Sequence, residues 1–125
     1  MKSIVALALA VTAVAATPAA AQTSPNLSST FTGCISRAGH NTVQRNICAQ
    51  REVGSQDDRL NKAYQRVMRQ LASDPAKKLA LRQQERRWIT ERDYTCKVND
   101  NTVDNSCVVM KTAARADELE SQVKF

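Results

Sequence analysis

Charged side chains fall on the apolar faces of two helices predicted near the C-terminus, and this pattern is the main sign of chemistry in the chain. Arg92 shares a helix face with Trp88, and Arg115 shares one with Val108 and Leu119. Burial of a cationic side chain is strongly unfavourable unless its charge is paired. We therefore expect a buried polar network between the helices, formed by the following residues: Asp57, Asn61, Glu85, Arg92, Asp93 and Arg115. It could be a binding site, but we favour a structural role that fixes helix register.

Four cysteines supply a second kind of chemistry, disulfide formation. The sequence alone allows three pairings. We favour Cys34–Cys48 and Cys96–Cys107, because each closes a short loop. A zinc site is the competing interpretation, but paired ligand spacing is absent and His40 is the only histidine. We therefore expect no metal and no other cofactor.

No residue pattern typical of catalysis occurs in the sequence. The serines lack both a Gly-x-Ser-x-Gly setting and a partner histidine. His40 lies in a turn beside Gly39, with no acid or nucleophile nearby. Asp57 and Asp58 are neighbours on a predicted helix, so their side chains point about 100° apart and cannot face one substrate atom. We expect a non-catalytic protein.

Helices are the elements that must position these residues. Gly54 is expected to end a short helix, and Ser55 with Asp58 predicts a capping box for the next one. Asp74 and Pro75 are typical of a further helix start, and a polar turn region should cover residues 99–105. The expected helices have approximate bounds of 42–51, 55–72, 75–97 and 106–123.

The apolar pattern has helical spacing throughout, and no alternation typical of strands is present. The second predicted helix carries a stripe formed by Leu60, Ala63, Tyr64, Val67 and Leu71. Trp88 lies on a stripe with other apolar side chains, so we expect it to pack in the core rather than stack on a sugar. The predicted fold class is all-α, a small disulfide-stabilised antiparallel helical hairpin or bundle of three to four helices.

The N-terminal residues are typical of a secretory signal peptide. A positive start is followed by an apolar run over residues 4–16 and by small residues up to Ala21. A retained anchor is the alternative, but the run is short for a membrane span. We expect a signal peptide at residues 1–21, a flexible lead-in at 22–33 and one helical domain at 34–125. The expected location is the periplasm or the medium, without a stable membrane anchor.

The chain is basic, with a formal charge of +6 that falls to +5 once Lys2 leaves with the signal peptide. Four cations form a stripe on the second predicted helix: Arg59, Lys62, Arg66 and Arg69. Such stripes are usually solvated faces, but this one could bind phosphate or other anionic groups of an envelope polymer. Aromatic residues are scarce and do not alternate with the basic ones, so nucleic acid is not an expected partner.

The same residues carry a resemblance to a known family. The chain resembles the LprI-like domain family, small secreted α-helical domains named after a lysozyme inhibitor. The resemblance covers roughly residues 34–119 and rests on the following positions: Cys34, Cys48, Asp57, Leu60, Asn61, Tyr64, Trp88, Arg92, Asp93, Cys96, Cys107, Thr112, Arg115 and Leu119. It implies lysozyme inhibition for the group, without a defined set of inhibitory residues. Glu85 stands where the family usually has Gln, Glu91 replaces a frequent aromatic, and the lipid-anchoring cysteine is absent.

Charge bears on how a lysozyme would be bound. Common animal-type lysozymes are strongly basic, so a partner at about +5 gains no electrostatic steering. A local acidic patch could compensate, and the loop with Asp100 and Asp104 is the first candidate. The second is the group Asp117, Glu118 and Glu120. The expected function is an exported, non-catalytic binding protein of the cell envelope, with lysozyme inhibition implied by the resemblance. The alternative is a binder of anionic envelope polymers through the basic helix face.

Overall fold

The computed structural model describes residues 24–124, so the predicted signal peptide lies outside the described residues. Four helices and one small hairpin follow in this order: α1 Ser29–Ala38, α2 Thr42–Gln70, α3 Pro75–Thr95, β1 Lys97–Asn99, β2 Thr102–Val103 and α4 Asn105–Gln122. The predicted all-α, disulfide-stabilised fold class is confirmed. Within the described range, no helix is long and apolar enough to cross a membrane.

The core lies mainly between α2 and α4, the helix pair with the most extensive contact. Its buried members are Leu60, Ala63, Val67, Leu81, Ala116 and Leu119. Two of these positions are alanines, Ala63 on α2 and Ala116 on α4, and such small side chains favour a close approach of the two backbones, because interaxial distance follows side-chain size. Trp88 and Tyr64 pack against this cluster and are partly buried, as expected for Trp88.

The predicted break at Gly54 is wrong, because α2 runs through it as one helix of 29 residues. Gly54 is exposed, and a glycine inside a helix costs only about 0.5–1 kcal/mol relative to alanine. Buried residues continue at helical spacing on both sides of it, from Cys48 and Glu52 to Gln56 and Leu60. Packing of this continuous face outweighs the local cost, and Ser55 lies inside the helix rather than at its cap.

The predicted flexible lead-in is wrong at its C-terminal end, because α1 begins at Ser29. Ser28 caps the helix, its side chain accepting a hydrogen bond from the backbone N–H of Phe31 at 3.0 Å. The residues before it are tied to the rest of the domain: Asn26 donates through its backbone N–H to Asp117 at 2.9 Å. The proline and serine content of this segment, on which the prediction rested, does not indicate such hydrogen bonds to distant residues.

The other predicted helix starts have the expected chemistry. Asp74 caps α3 by accepting from the backbone N–H of Lys77 at 3.1 Å, and Pro75 takes the first helical position. Leu81 is the only buried residue of α3. The predicted polar turn at 99–105 contains part of an antiparallel hairpin, β1 with β2, whose strands are too short to show alternation in the sequence.

Both predicted disulfides are present. Cys34–Cys48 joins α1 to α2, and Cys96–Cys107 joins the end of α3 to the first turn of α4. The hairpin emerges between the second pair of cysteines, and its base is also closed by the backbone N–H of Asp104, which donates to the carbonyl of Cys96 at 2.9 Å. The hairpin is therefore held at both ends by covalent and hydrogen bonds.

Candidate functional site

A buried ion pair joins α3 to α4 beside the core. Arg115 is 4% exposed and donates from Nε and Nη2 to one carboxylate oxygen of Glu85, at 3.0 and 2.9 Å. Its Nη1 donates to Glu118 at 2.9 Å. Burial lowers the pKa of Arg115, but the hydrogen bonds that it donates to Glu118 and Glu85 outweigh that effect and raise it. The guanidinium is therefore charged and paired, as a buried cation requires.

Arg92 forms a separate and more open group. Its guanidinium contacts Asp93 at 2.8 Å and Asp57 at 3.4 Å, and it lies over the ring of Trp88, 5.2 Å from the ring centroid. Both carboxylates are exposed, and Asn61 is exposed as well. The structure thus divides the predicted single network into a buried pair between α3 and α4 and a more solvent-facing group around Arg92, with Asn61 in neither.

A second polar cluster was missed by the sequence analysis. Glu52 on α2 is buried and accepts hydrogen bonds from the backbone N–H of Ser28 at 3.0 Å and from Gln56 at 2.6 Å. The sequence did contain an indication of this cluster, since Glu52 and Gln56 are polar residues four positions apart on the apolar face of α2. The false break at Gly54 left Glu52 outside the first predicted helix and Gln56 inside the next one, so the two residues were not seen as one face.

Arg59 belongs to an ion-pair group with α4 rather than to a free basic face. It donates from Nε and Nη2 to the two carboxylate oxygens of Glu120, at 2.7 and 2.6 Å, and also to Asp117. The hydrogen bond to Glu120 raises the pKa of Arg59 despite its partial burial. Burial raises the pKa of Asp117, but hydrogen bonds from Arg59 and Asn26 lower it on balance.

The predicted anion-binding stripe is therefore not a set of four free cations. Arg59 is bound to two carboxylates, and Lys62 pairs with Asp58 at 2.8 Å on the same helix. Arg66 and Arg69 line a shallow depression near the C-terminus with Gln70, Val123 and Lys124. The helical pattern predicted that these cations are exposed. It could not predict that a neighbouring helix would bring carboxylates to one of them.

The predicted acidic loop retains one available carboxylate. Asp104 is the N-cap of α4 and accepts from the backbone N–H groups of Ser106 and Cys107 at 2.9 and 3.3 Å. Asp100 is fully exposed at the hairpin, with Lys97 at 3.6 Å. The competing acidic group on α4 is engaged internally: Asp117 and Glu120 with Arg59, and Glu118 with Arg115.

The hairpin carries two exposed apolar side chains, Val98 and Val103, among polar ones. Val98 is 65% exposed, and Val103 on β2 and Tyr94 at the end of α3, which line one depression together, are exposed too. Polar side chains with donors and acceptors lie between them, including Asn99 and Asn101. Among residues 24–124, no group of His, Cys, Asp or Glu side chains is arranged to hold a metal ion.

Comparison with known proteins identifies a family. Residues 34–119 match the family model described as Lysozyme inhibitor LprI. The matched segment includes both disulfides, the α2–α4 core and the hairpin. No curated protein and no solved structure matches the chain.

Proposed function

The chain belongs to the lysozyme inhibitor LprI family, and from this premise we propose that it inhibits lysozyme by forming a stoichiometric complex. The family match over residues 34–119 is the observation that carries the proposal. Inhibition needs only a surface that blocks substrate access to the enzyme. The chain accordingly requires no catalytic group of its own and no cofactor.

We further propose that the hairpin between Cys96 and Cys107 is the inhibitory surface. Lysozyme acts through two carboxyl groups that flank the scissile bond of a glycan, so a segment that occupies the substrate cleft would stop the reaction. The disulfide and the Asp104–Cys96 backbone hydrogen bond hold the hairpin in one shape. Such preorganisation reduces the entropy lost on binding.

The exposed side chains of the hairpin suit a protein partner. Val98, Val103 and Tyr94 offer apolar area that becomes favourable once it is removed from water. Asp100 provides a local negative charge that would attract a basic lysozyme. This attraction would offset the weak overall repulsion between two basic proteins. The alternative binding of anionic polymers through α2 is weakened because Arg59 is held between two carboxylates of α4.

The experiment is an assay of lysozyme activity on bacterial cell walls with increasing amounts of the oxidised protein. We expect dose-dependent inhibition that saturates at one inhibitor per enzyme. The double variant V98S/V103S should lose inhibition while keeping the helical circular dichroism spectrum. The matched control is V43S, because Val43 is 66% exposed and lies at the start of α2. No inhibition by the unaltered protein would reject the function; full inhibition by V98S/V103S would reject only the hairpin.

Export is part of the same proposal. The predicted signal peptide would deliver the chain to the periplasm or the medium, where disulfides persist. The protein isolated from the periplasmic fraction of an expressing bacterium should begin at Gln22. A protein that begins at Met1 and stays with the membrane would instead support the retained anchor.

A further inference from the structure

A groove of about 510 Å³ separates α2 from α3 on a side of the domain that the proposed inhibitory surface does not use. Helix α3 reaches the core mainly through Leu81 and Trp88, and its contact with α4 is limited. The remaining space between α2 and α3 is open to solvent. Its walls are side chains from the middle of both helices.

The two walls have helical spacing but the wrong composition for helix packing. Arg82, Arg86 and Ile89 recur on α3 at the spacing of one helix face, and so do Asp57, Asn61 and Tyr64 on α2. Facing stripes of packed helices are normally apolar. Here each stripe contains charged or amide side chains, which explains why the helices leave a groove instead of closing on each other.

The lining of the groove is balanced in formal charge, with Arg82 and Arg86 against Asp57 and Glu85, but the positive charge is concentrated on α3. Both carboxylates have partners elsewhere: Glu85 pairs with Arg115, and Asp57 lies 3.4 Å from the guanidinium of Arg92, which also pairs with Asp93. Within residues 24–124, neither Arg82 nor Arg86 forms an ion pair. These two cations lie one turn apart on α3, where like charges destabilise a helix slightly. An anionic ligand would relieve that repulsion and could accept hydrogen bonds from both guanidinium groups.

The floor of the groove adds an apolar surface and neutral polar groups. Leu60 and Tyr64 form part of it, and Ile89 is 42% exposed on the opposite wall. Asn61 and Asp57 provide amide and carboxylate groups at the edge. A pyranose ring matches this combination, since its C–H faces contact apolar side chains while its hydroxyls bond to planar polar groups.

We propose that the α2–α3 groove binds a saccharide that carries a carboxylate, with Arg82 and Arg86 contacting the carboxylate and Tyr64 and Ile89 contacting the sugar ring. The site is separate from the hairpin and does not depend on lysozyme inhibition. Its ligand class is an acidic sugar of the kind found in bacterial envelope glycans.

A pair of probes that differ in one group tests the proposal. N-acetylmuramic acid and N-acetylglucosamine share the ring and the acetamido group, but only the first carries a carboxylate. In an NMR titration of the oxidised protein, N-acetylmuramic acid should shift the signals of Asn61, Tyr64, Arg82, Arg86 and Ile89. Its dissociation constant should be lower than that of N-acetylglucosamine by about tenfold or more, as expected for hydrogen bonds to a charged group.

Variants separate the groove from the overall positive charge. R82Q/R86Q should remove the preference for the acidic sugar, and I89S should weaken both sugars. The control R66Q/R69Q removes the same number of charges from α2 outside the groove and should bind like the unaltered protein. Equal binding of the two sugars, signal shifts outside the groove, or an equal loss in the control would overturn the proposal. Acetate that shifts the same signals as strongly as the acidic sugar would also overturn it, because the ring would then contribute nothing.

Discussion

The buried Glu85–Arg115 pair gives the strongest test of how this domain is stabilised. Arg115 donates two hydrogen bonds to Glu85 and one to Glu118, and it is nearly inaccessible to solvent. The side chain of Glu85 is 12% exposed, whereas that of Glu118 is mostly exposed. Substitution of Arg115 therefore leaves one carboxylate without a partner in a poorly solvated position, while Glu118 can turn into water.

The expected magnitudes follow from that asymmetry. Arg115→Met should lower the free energy of unfolding by about 3–5 kcal/mol, the usual effect of leaving one member of a buried pair without its partner. Glu85→Leu should cost less, about 1.5–3 kcal/mol, because Arg115 keeps Glu118. Glu85→Gln should cost less still, since the amide oxygen remains an acceptor. The double variant E85L/R115M should lie within about 1–2 kcal/mol of the unaltered protein, because both charges are gone together.

Urea unfolding followed by circular dichroism, with both disulfides intact, measures these differences. With a slope of about 1.5 kcal/mol per molar urea, Arg115→Met should move the midpoint by about 2 M or more. The double-mutant cycle should give a coupling of about 2 kcal/mol or more. A loss below about 1 kcal/mol for Arg115→Met, or single losses that simply add in the double variant, would refute the argument that the charges depend on each other.

Three further predictions concern local stability. Gly54→Ala should raise the free energy of unfolding by about 0.5–1 kcal/mol, because Gly54 is helical and exposed and an added Cβ would meet no atom within 4 Å. Asp104→Ala should lower the free energy of unfolding by about 1 kcal/mol through loss of the α4 cap, whereas Asp104→Asn should keep most of the stability that the cap supplies. The pKa of Asp117 is lowered in the folded protein, so its stabilisation should be full above the ordinary Asp pKa near 3.9 and lost as the pH falls below it. Asp117→Asn should therefore reduce the fall in the urea midpoint between pH 7 and pH 3.

Each of these predictions has a matched comparison. Gly39→Ala should destabilise, in contrast to Gly54→Ala, because Gly39 has a φ of 55°; two effects of the same sign would contradict the conformational argument. Asp104→Asn as harmful as Asp104→Ala would show that the charge matters more than the cap. Asp58→Asn removes a solvent-exposed partner of Lys62 and should leave the pH dependence unchanged; the same change as in Asp117→Asn would contradict a specific role for Asp117.

Elements with local signals could be predicted from the sequence. The Asp74–Pro75 start of α3 and the two short-range disulfides depend on neighbouring residues, and both were correct. Gly54 was misread because a local helix-ending signal is weak beside the packing of a long buried face. The β1–β2 hairpin is too short for its pattern to be recognised.

The polar site was only partly predictable, because partner choice depends on tertiary placement. Helical spacing correctly indicated that Glu85 and Arg115 turn towards the helix interface. It could not indicate that α4 brings Asp117 and Glu120 to Arg59, residues about sixty positions away in the chain. It also could not show that Asp104 would be used as a cap instead of remaining free in the loop.

The position of the two disulfides has a consequence for how the oxidised chain forms. Their sequence separations are 14 and 11 residues, and neither bond crosses the α2–α4 core. A wrong bond between Cys48 and Cys96 would close a loop of 48 residues, about two doublings longer, which costs roughly 1.2 kcal/mol more in loop-closure entropy. Random encounters in the unfolded chain therefore favour the native partners. Correct oxidation can precede folding of the core, and few mispaired molecules should need reshuffling.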